Sequence, residues 1–192
     1  MAQQLIKFFV VFFVVVEPIS LIPLFAGLTE GADAVYKKTM AGKAAAISLG
    51  ICLIFAVAGA KFLEIMGIAL SSFRIAGGTL LFLISLDMVF ARSSGTRSTT
   101  PEREESMKRE DISVFPLAFP FIAGPGALAT ILLTAGETWD KPVLFAGFLC
   151  VVMLVVLVCW CLMLLRLILE NPGLAERLFD VLAPKDQKQE VR

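Results

Sequence analysis

The 192-residue chain has no histidine, a single tyrosine and two tryptophans, and its 17 lysines and arginines balance 17 aspartates and glutamates. Without histidine it lacks the commonest metal ligand and the usual proton shuttle. Balanced charge gives no electrostatic footprint for nucleic acid. No H-E-x-x-H, G-x-S-x-G or Walker A string occurs. The sequence therefore offers no zinc-hydrolase, serine-hydrolase or nucleotide site, and no catalytic residue, metal or cofactor is expected. Cys52, Cys150, Cys159 and Cys161 form no C-x-x-C pair and sit in apolar runs. They read as small buried hydrophobes rather than ligands or disulfides.

Apolar residues are what the chain has in excess. It is 58% hydrophobic with a mean hydropathy of +0.85, against roughly 45–50% apolar for a soluble domain. Apolar runs of about 18 residues or more indicate membrane-crossing helices. Five runs qualify or nearly do: 8–28, 44–60, 66–90, 114–135 and 143–165. The fold class is therefore an all-α polytopic membrane protein in the lipid bilayer. Lys7 and the run behind it resemble the start of a signal peptide. The run continues past Glu17 without a small-residue cleavage site, so it reads as the first span.

Lysine and arginine set the orientation. With five spans and the N-terminus outside, thirteen of the 17 fall on the inner side and four on the outer. The C-terminus is then cytoplasmic. Residues 92–113 form a polar cytoplasmic loop, with Thr100-Pro101-Glu102 as a local helix start. Residues 170–192 form a cytoplasmic tail, where Asn171-Pro172 starts a stretch with Leu174, Leu178 and Leu182 on one face. Tyr36 and Trp139 stand where interfacial aromatics are expected.

Two spans carry prolines near their middles. The first reads "FFVVFFVVVEPISLIPLFAGL", with Pro18 and Pro23; the fourth reads "VFPLAFPFIAGPGALATILLTA", with Pro120 and Pro125. A proline inside a helix removes a donor and displaces the carbonyl four residues earlier. The carbonyls of Val14, Ile19, Pro116 and Phe121 are therefore expected to be freed, and such groups must line a cavity or be covered by protein. Three crossings separate the two spans, so they run in opposite directions. This is the pattern of an inverted repeat, with residues 1–91 as the first repeat and 114–169 as the second. In transporters of this architecture the substrate site lies where the broken helices meet.

The stretches "EPISLIPLFAGLT", "FRIAGGTLLFLISLDMVF" and "VFPLAFPFIAGPGALATIL" resemble the MarC family of integral membrane proteins. The resemblance implies six spans and uptake or exchange of small neutral amino acids, glycine-like or alanine-like, across the bacterial inner membrane. Here the tail "ENPGLAERLFDVLAPKDQKQEVR" is too short in its apolar part to be a sixth span. An incomplete repeat then leaves homo-oligomerisation, or a truncated or accessory form without transport, as the alternatives.

The candidate substrate-binding residues are Glu17, Pro18, Ser20, Arg74, Gly124, Pro125, Gly126 and Thr130. Glu17 sits near a span centre and is also the candidate proton carrier. Its alternative role is structural, held by Arg74 or backbone amides. Arg74 would receive a substrate carboxylate through its planar fork, or reach the outer headgroups. The backbone around Gly124-Pro125-Gly126 and the hydroxyl of Thr130 would receive a zwitterion at half-helix ends. Asp87 falls near the cytoplasmic surface, where a structural role is expected.

Overall fold

A computed structural model of the chain describes residues 1–90 and 111–170, with backbone alone at residues 70, 84, 87–89, 169 and 170. Among the described residues seven helical elements follow one another: α1 (Ala2–Val16), α2 (Leu21–Leu28), α3 (Ala34–Ile65), α4 (Leu70–Val89), α5 (Ser113–Ile122), α6 (Pro125–Thr138) and α7 (Pro142–Glu170). The expected helix start at Thr100-Pro101-Glu102 and the tail stretch after Asn171 lie outside the described residues, as does the Asp87 side chain.

Each apolar run becomes a helix or a broken pair. Among the described residues three helices, Ala2–Leu28, Ala34–Ile65 and Pro142–Ile168, are long and apolar enough to cross a membrane, the first taken across the break between α1 and α2. The pair α5 and α6, bent by 57°, makes a fourth. The 20 residues of α4 reach roughly 30 Å, the thickness of the hydrocarbon core, although its continuous apolar stretch is shorter, Ser71–Leu83. The chain is thus an all-α polytopic membrane protein.

Helix ends follow local chemistry rather than the ends of the apolar runs. The run 44–60 marks only the middle of α3, which has 32 residues. The Asp33 carboxylate caps its start by accepting from the Tyr36 backbone N–H at 2.6 Å, which leaves the adjacent lysines inside the helix. At the far end Gly67 takes φ 69°. The N–H of Gly67 donates to Glu64 O at 3.0 Å and that of Ile68 to Leu63 O at 2.9 Å. Together these are the two bonds of a Schellman cap, and its left-handed residue favours glycine.

α3 packs against α5, α6 and α7; α1 lies on α6 and α7, α2 on α7, and α4 on α6. Close approach depends on small residues. The buried stripe of α3 is mostly small: Ala41, Ala44, Ser48, Cys52, Ala56 and Gly59. A Cβ on Gly59 would stand 2.9 Å from Leu132 Cγ, and one on Gly147 would stand 2.8 Å from Leu5 Cδ1. Phe8 bridges α1 to α7, with its ring edge-on to Phe148 at 4.7 Å. The cysteines divide. Cys52 and Cys159 are buried as expected, whereas Cys150 and Cys161 lie on exposed faces of α7. Their helix is apolar all round, so burial there is decided by which face meets a neighbour, and composition does not reveal that.

Candidate functional site

The first break spans residues 17–20. Pro18 disfavours the right-handed helical conformation at the preceding residue, and Glu17 takes the left-handed region at φ 52°, ψ 60°. Its N–H still donates to Phe13 O at 3.0 Å, and its own carbonyl accepts from Ser20 N at 3.0 Å. Glu17 is half-buried, Pro18 is buried, and Ser20 is exposed. α2 then begins at Leu21, which makes Pro23 its third residue. The first-turn N–H groups of a helix have no partner within it, so Pro23 removes no helical bond.

The second break lies at Ala123-Gly124. α5 is wound in wide turns: Leu117 N donates to Ile112 O at 3.3 Å and Ala123 N to Ala118 O at 2.8 Å. Phe115 and Phe119, each preceding a proline, are extended (φ −127° and −128°), as the residue before proline prefers. Both Phe–Pro peptide bonds are cis. Gly124 is extended and caps α6, with Pro125 as the first helical residue, a position where a missing N–H costs nothing. A Cβ on Gly124 would lie 2.3 Å from Pro120 O, so only glycine fits.

The expectation that all four prolines act as interior breakers is thus corrected. Pro18 lies in the turn beyond α1, and Pro23 and Pro125 sit in the first turns of new helices. The helices end and restart there, so the carbonyls of Val14, Ile19 and Phe121 are not displaced from interior helical bonds by a proline ring. Among the described residues, Pro116 and Pro120 are the prolines that lie past the first three residues of a helical element.

The two breaks share surroundings. Val16 and Leu21 flank the first, Ile122, Ala123 and Ala127 flank the second, and all five belong to one contiguous buried cluster. α1 leads into the first break and α6 leads out of the second, and these two helices pack on each other. Gly126 and Thr130 are buried on α6, and the Thr130 hydroxyl donates to Gly126 O at 2.8 Å. Arg74 lies apart from this region. Its guanidinium donates to Glu137 Oε1 at 2.6 Å near the far end of α6. The partner considered for Arg74 from sequence was Glu17; its ion pair is instead with Glu137.

At the opposite end of the bundle Lys43 Nζ lies 3.0 Å from Asp111 Oδ2. Asp111 Oδ1 accepts from the Ser113 backbone N–H at 2.9 Å and its hydroxyl at 2.5 Å. The two bonds from Ser113, with help from Lys43, hold the Asp111 carboxyl well below the usual carboxylate range, at about 2. This clasp fixes the start of α5 to α3. Among the described residues no group of His, Cys, Asp and Glu has the arrangement of a metal site.

The model of the family described as MarC family integral membrane protein matches residues 2–174. The chain belongs to the MarC family. Its relatives include the UPF0056 membrane protein YvbG of Bacillus subtilis, 38% identical over 72% of this chain and 66% of YvbG. YhcE of Escherichia coli is 34% identical over 80% of this chain and 71% of its own length. BU267 of Buchnera aphidicola is 39% identical over 81% and 72%. The matches thus cover about two thirds to three quarters of the relatives' lengths. No solved structure matches.

Sequence reading of this MarC chain missed Glu137, the Lys43–Asp111 clasp and the threonines above Thr130. The ion pairs join residues 63 and 68 positions apart, beyond any local pattern. The threonines did leave a signal: Thr130, Thr134 and Thr138 recur every four residues, the spacing of one helix face.

Proposed function

We propose that the chain is a secondary transporter of small neutral amino acids, glycine-like or alanine-like, in the bacterial inner membrane. Its N-terminus faces outward and its C-terminus the cytoplasm, and Glu17 carries the coupled proton. It is not an enzyme. One observation carries this reading: two oppositely directed spans are broken, and both breaks border a single buried cluster. Broken helices present unpaired N–H groups on one side and unpaired carbonyls on the other, a pair of opposite partial charges suited to a zwitterion. The lysine and arginine asymmetry supports the orientation.

The test is uptake of radiolabelled glycine and alanine by purified protein in liposomes, with and without an imposed proton gradient. Saturable uptake that accumulates with the gradient is expected. Liposomes that take up neither solute, although the protein is folded and inserted, would refute the transport reading and favour an accessory membrane subunit. A periplasm-active phosphatase fused after residue 170 should be inactive; high activity would reverse the orientation.

A further inference from the structure

α1 and α4 both rest on α6. A cleft of about 450 Å³ lies beside them, with walls from α1, α4, α6 and the start of α7. It runs from the end of the bundle that carries the N-terminus down toward the second break. Lys7 and Lys141 line it near that end, and Thr138, Thr134 and Thr130 line it in descending order along α6. Successive threonines are one turn apart, about 6 Å along the axis.

The polar groups are arranged by sign. The hydroxyls of Thr130, Thr134 and Thr138 donate to Gly126 O, Thr130 O and Thr134 O at 2.8, 2.9 and 2.7 Å. Their protons are engaged by their own helix, and a hydroxyl oxygen retains lone pairs for accepting. The floor of the cleft is therefore a column of acceptors. Its mouth is cationic. Glu137, which also lines the cleft, is neutralised by Arg74 at 2.6 Å, while Lys7 and Lys141 take part in no ion pair among the described residues. Apolar walls, with Leu5, Phe8 and Phe148 among them, keep the local dielectric low and concentrate the field of the two lysines.

We propose that this cleft is a water-filled antechamber that admits small zwitterions, holding the carboxylate at Lys7 and Lys141 and the ammonium on the threonine oxygens. The zwitterion assignment rests on the transport reading above; the water access and the charge preference do not.

The experiment uses the full chain with the exposed Cys150 and Cys161 replaced by alanine, and Thr134→Cys introduced on the cleft floor. In liposomes, its reaction with an anionic sulfonatoethyl and a cationic trimethylammonioethyl methanethiosulfonate is timed. Each rate is divided by that reagent's rate with a free thiol. The anionic reagent should be favoured about tenfold, and Lys7→Gln with Lys141→Gln should abolish that preference. Val11→Cys, on the α1 wall, gives the same reading if Thr134→Cys fails to fold. No reaction at either cysteine, or reaction without preference, overturns the antechamber. Glycine should slow the labelling at lower concentration than acetate does; equal effects, or none, overturn the zwitterion assignment. If the charge preference holds while liposome uptake of glycine and alanine is absent, the transport reading fails and the cleft stands.

Discussion

Arg74 and Glu137 join the start of α4 to the end of α6 through a 2.6 Å contact between guanidinium and carboxylate. One turn further along, Gly77 lets α4 approach α6 closely enough that a Cβ there would touch Ala129 Cβ at 3.5 Å and Leu133 Cδ1 at 3.6 Å. The α4–α6 interface thus includes both an ion pair and close packing at Gly77. Both ionic side chains are about half exposed, and pairs in that setting contribute roughly 0.2–1 kcal/mol. Arg74→Gln and Glu137→Gln should each lower the detergent melting temperature slightly, and the double variant should lose no more than either single one. The reversed pair, Arg74→Glu with Glu137→Arg, should recover most of the loss. Additive losses in this double-mutant cycle would mean that the two residues are not coupled.

The second break makes a sharper demand on one side chain. Gly124→Ala would place a methyl carbon 2.3 Å from Pro120 O, a contact with backbone that no rotamer change relieves. Overpacking of this kind costs ~3 kcal/mol or more, so folded protein should be scarce or absent by size-exclusion chromatography. Gly78→Ala is the control, because nothing lies within 4 Å of its Cβ position. It should match the parent in yield and melting temperature. A well-folded Gly124→Ala variant would mean that α5 and α6 do not meet at the angle described.

Both breaks were legible in the sequence because proline and glycine in an apolar run have few other uses. Their mechanism was less legible. A proline in a helix interior and one in a first turn look alike in sequence, and only the positions of Leu21 and Gly124 as helix boundaries tell them apart. The extent of α3 was underestimated for a similar reason. Hydropathy reports the lipid-facing length, whereas Asp33 and Gly67 set the hydrogen-bonded length. Partners of charged residues were the least legible. Arg74 meets Glu137 only because the helices α4 and α6 pack side by side, and helix pairing is a tertiary fact with no local trace.

The clasp at Asp111 should respond to acid in a definite direction. Its carboxyl is held at about 2, below the usual carboxylate value near 4. A depressed value contributes stability that is fully present above the ordinary value and is lost as pH falls through the depressed one. Asp111→Asn should therefore be less stable than the parent at pH 7, by no more than about 1 kcal/mol for so exposed a group. The difference should shrink between pH 4 and pH 2. Melting curves of parent and variant across that range provide the check, and a gap that stays constant down to pH 2 would remove Asp111 ionisation as its cause.

Glu17 allows structural and functional roles to be separated at one position. It holds φ 52° in the left-handed region, where a non-glycine residue costs of order 1 kcal/mol and where helix ends usually place glycine. A side chain kept for backbone geometry alone would be a poor choice there. Glu17→Gly relieves the conformation and deletes the carboxylate, so this variant should melt no lower than the parent yet lose uptake. Glu17→Gln keeps both the conformation and the side-chain length but cannot ionise. It should bind glycine, measured by calorimetry in detergent, while failing to accumulate it under an imposed proton gradient. A lower melting temperature for Glu17→Gly together with full gradient-driven accumulation by Glu17→Gln would overturn the coupling role and leave the carboxylate as a structural brace of the break. The informative comparison is between the two variants, since loss of function in either alone would be explained equally well by a damaged fold.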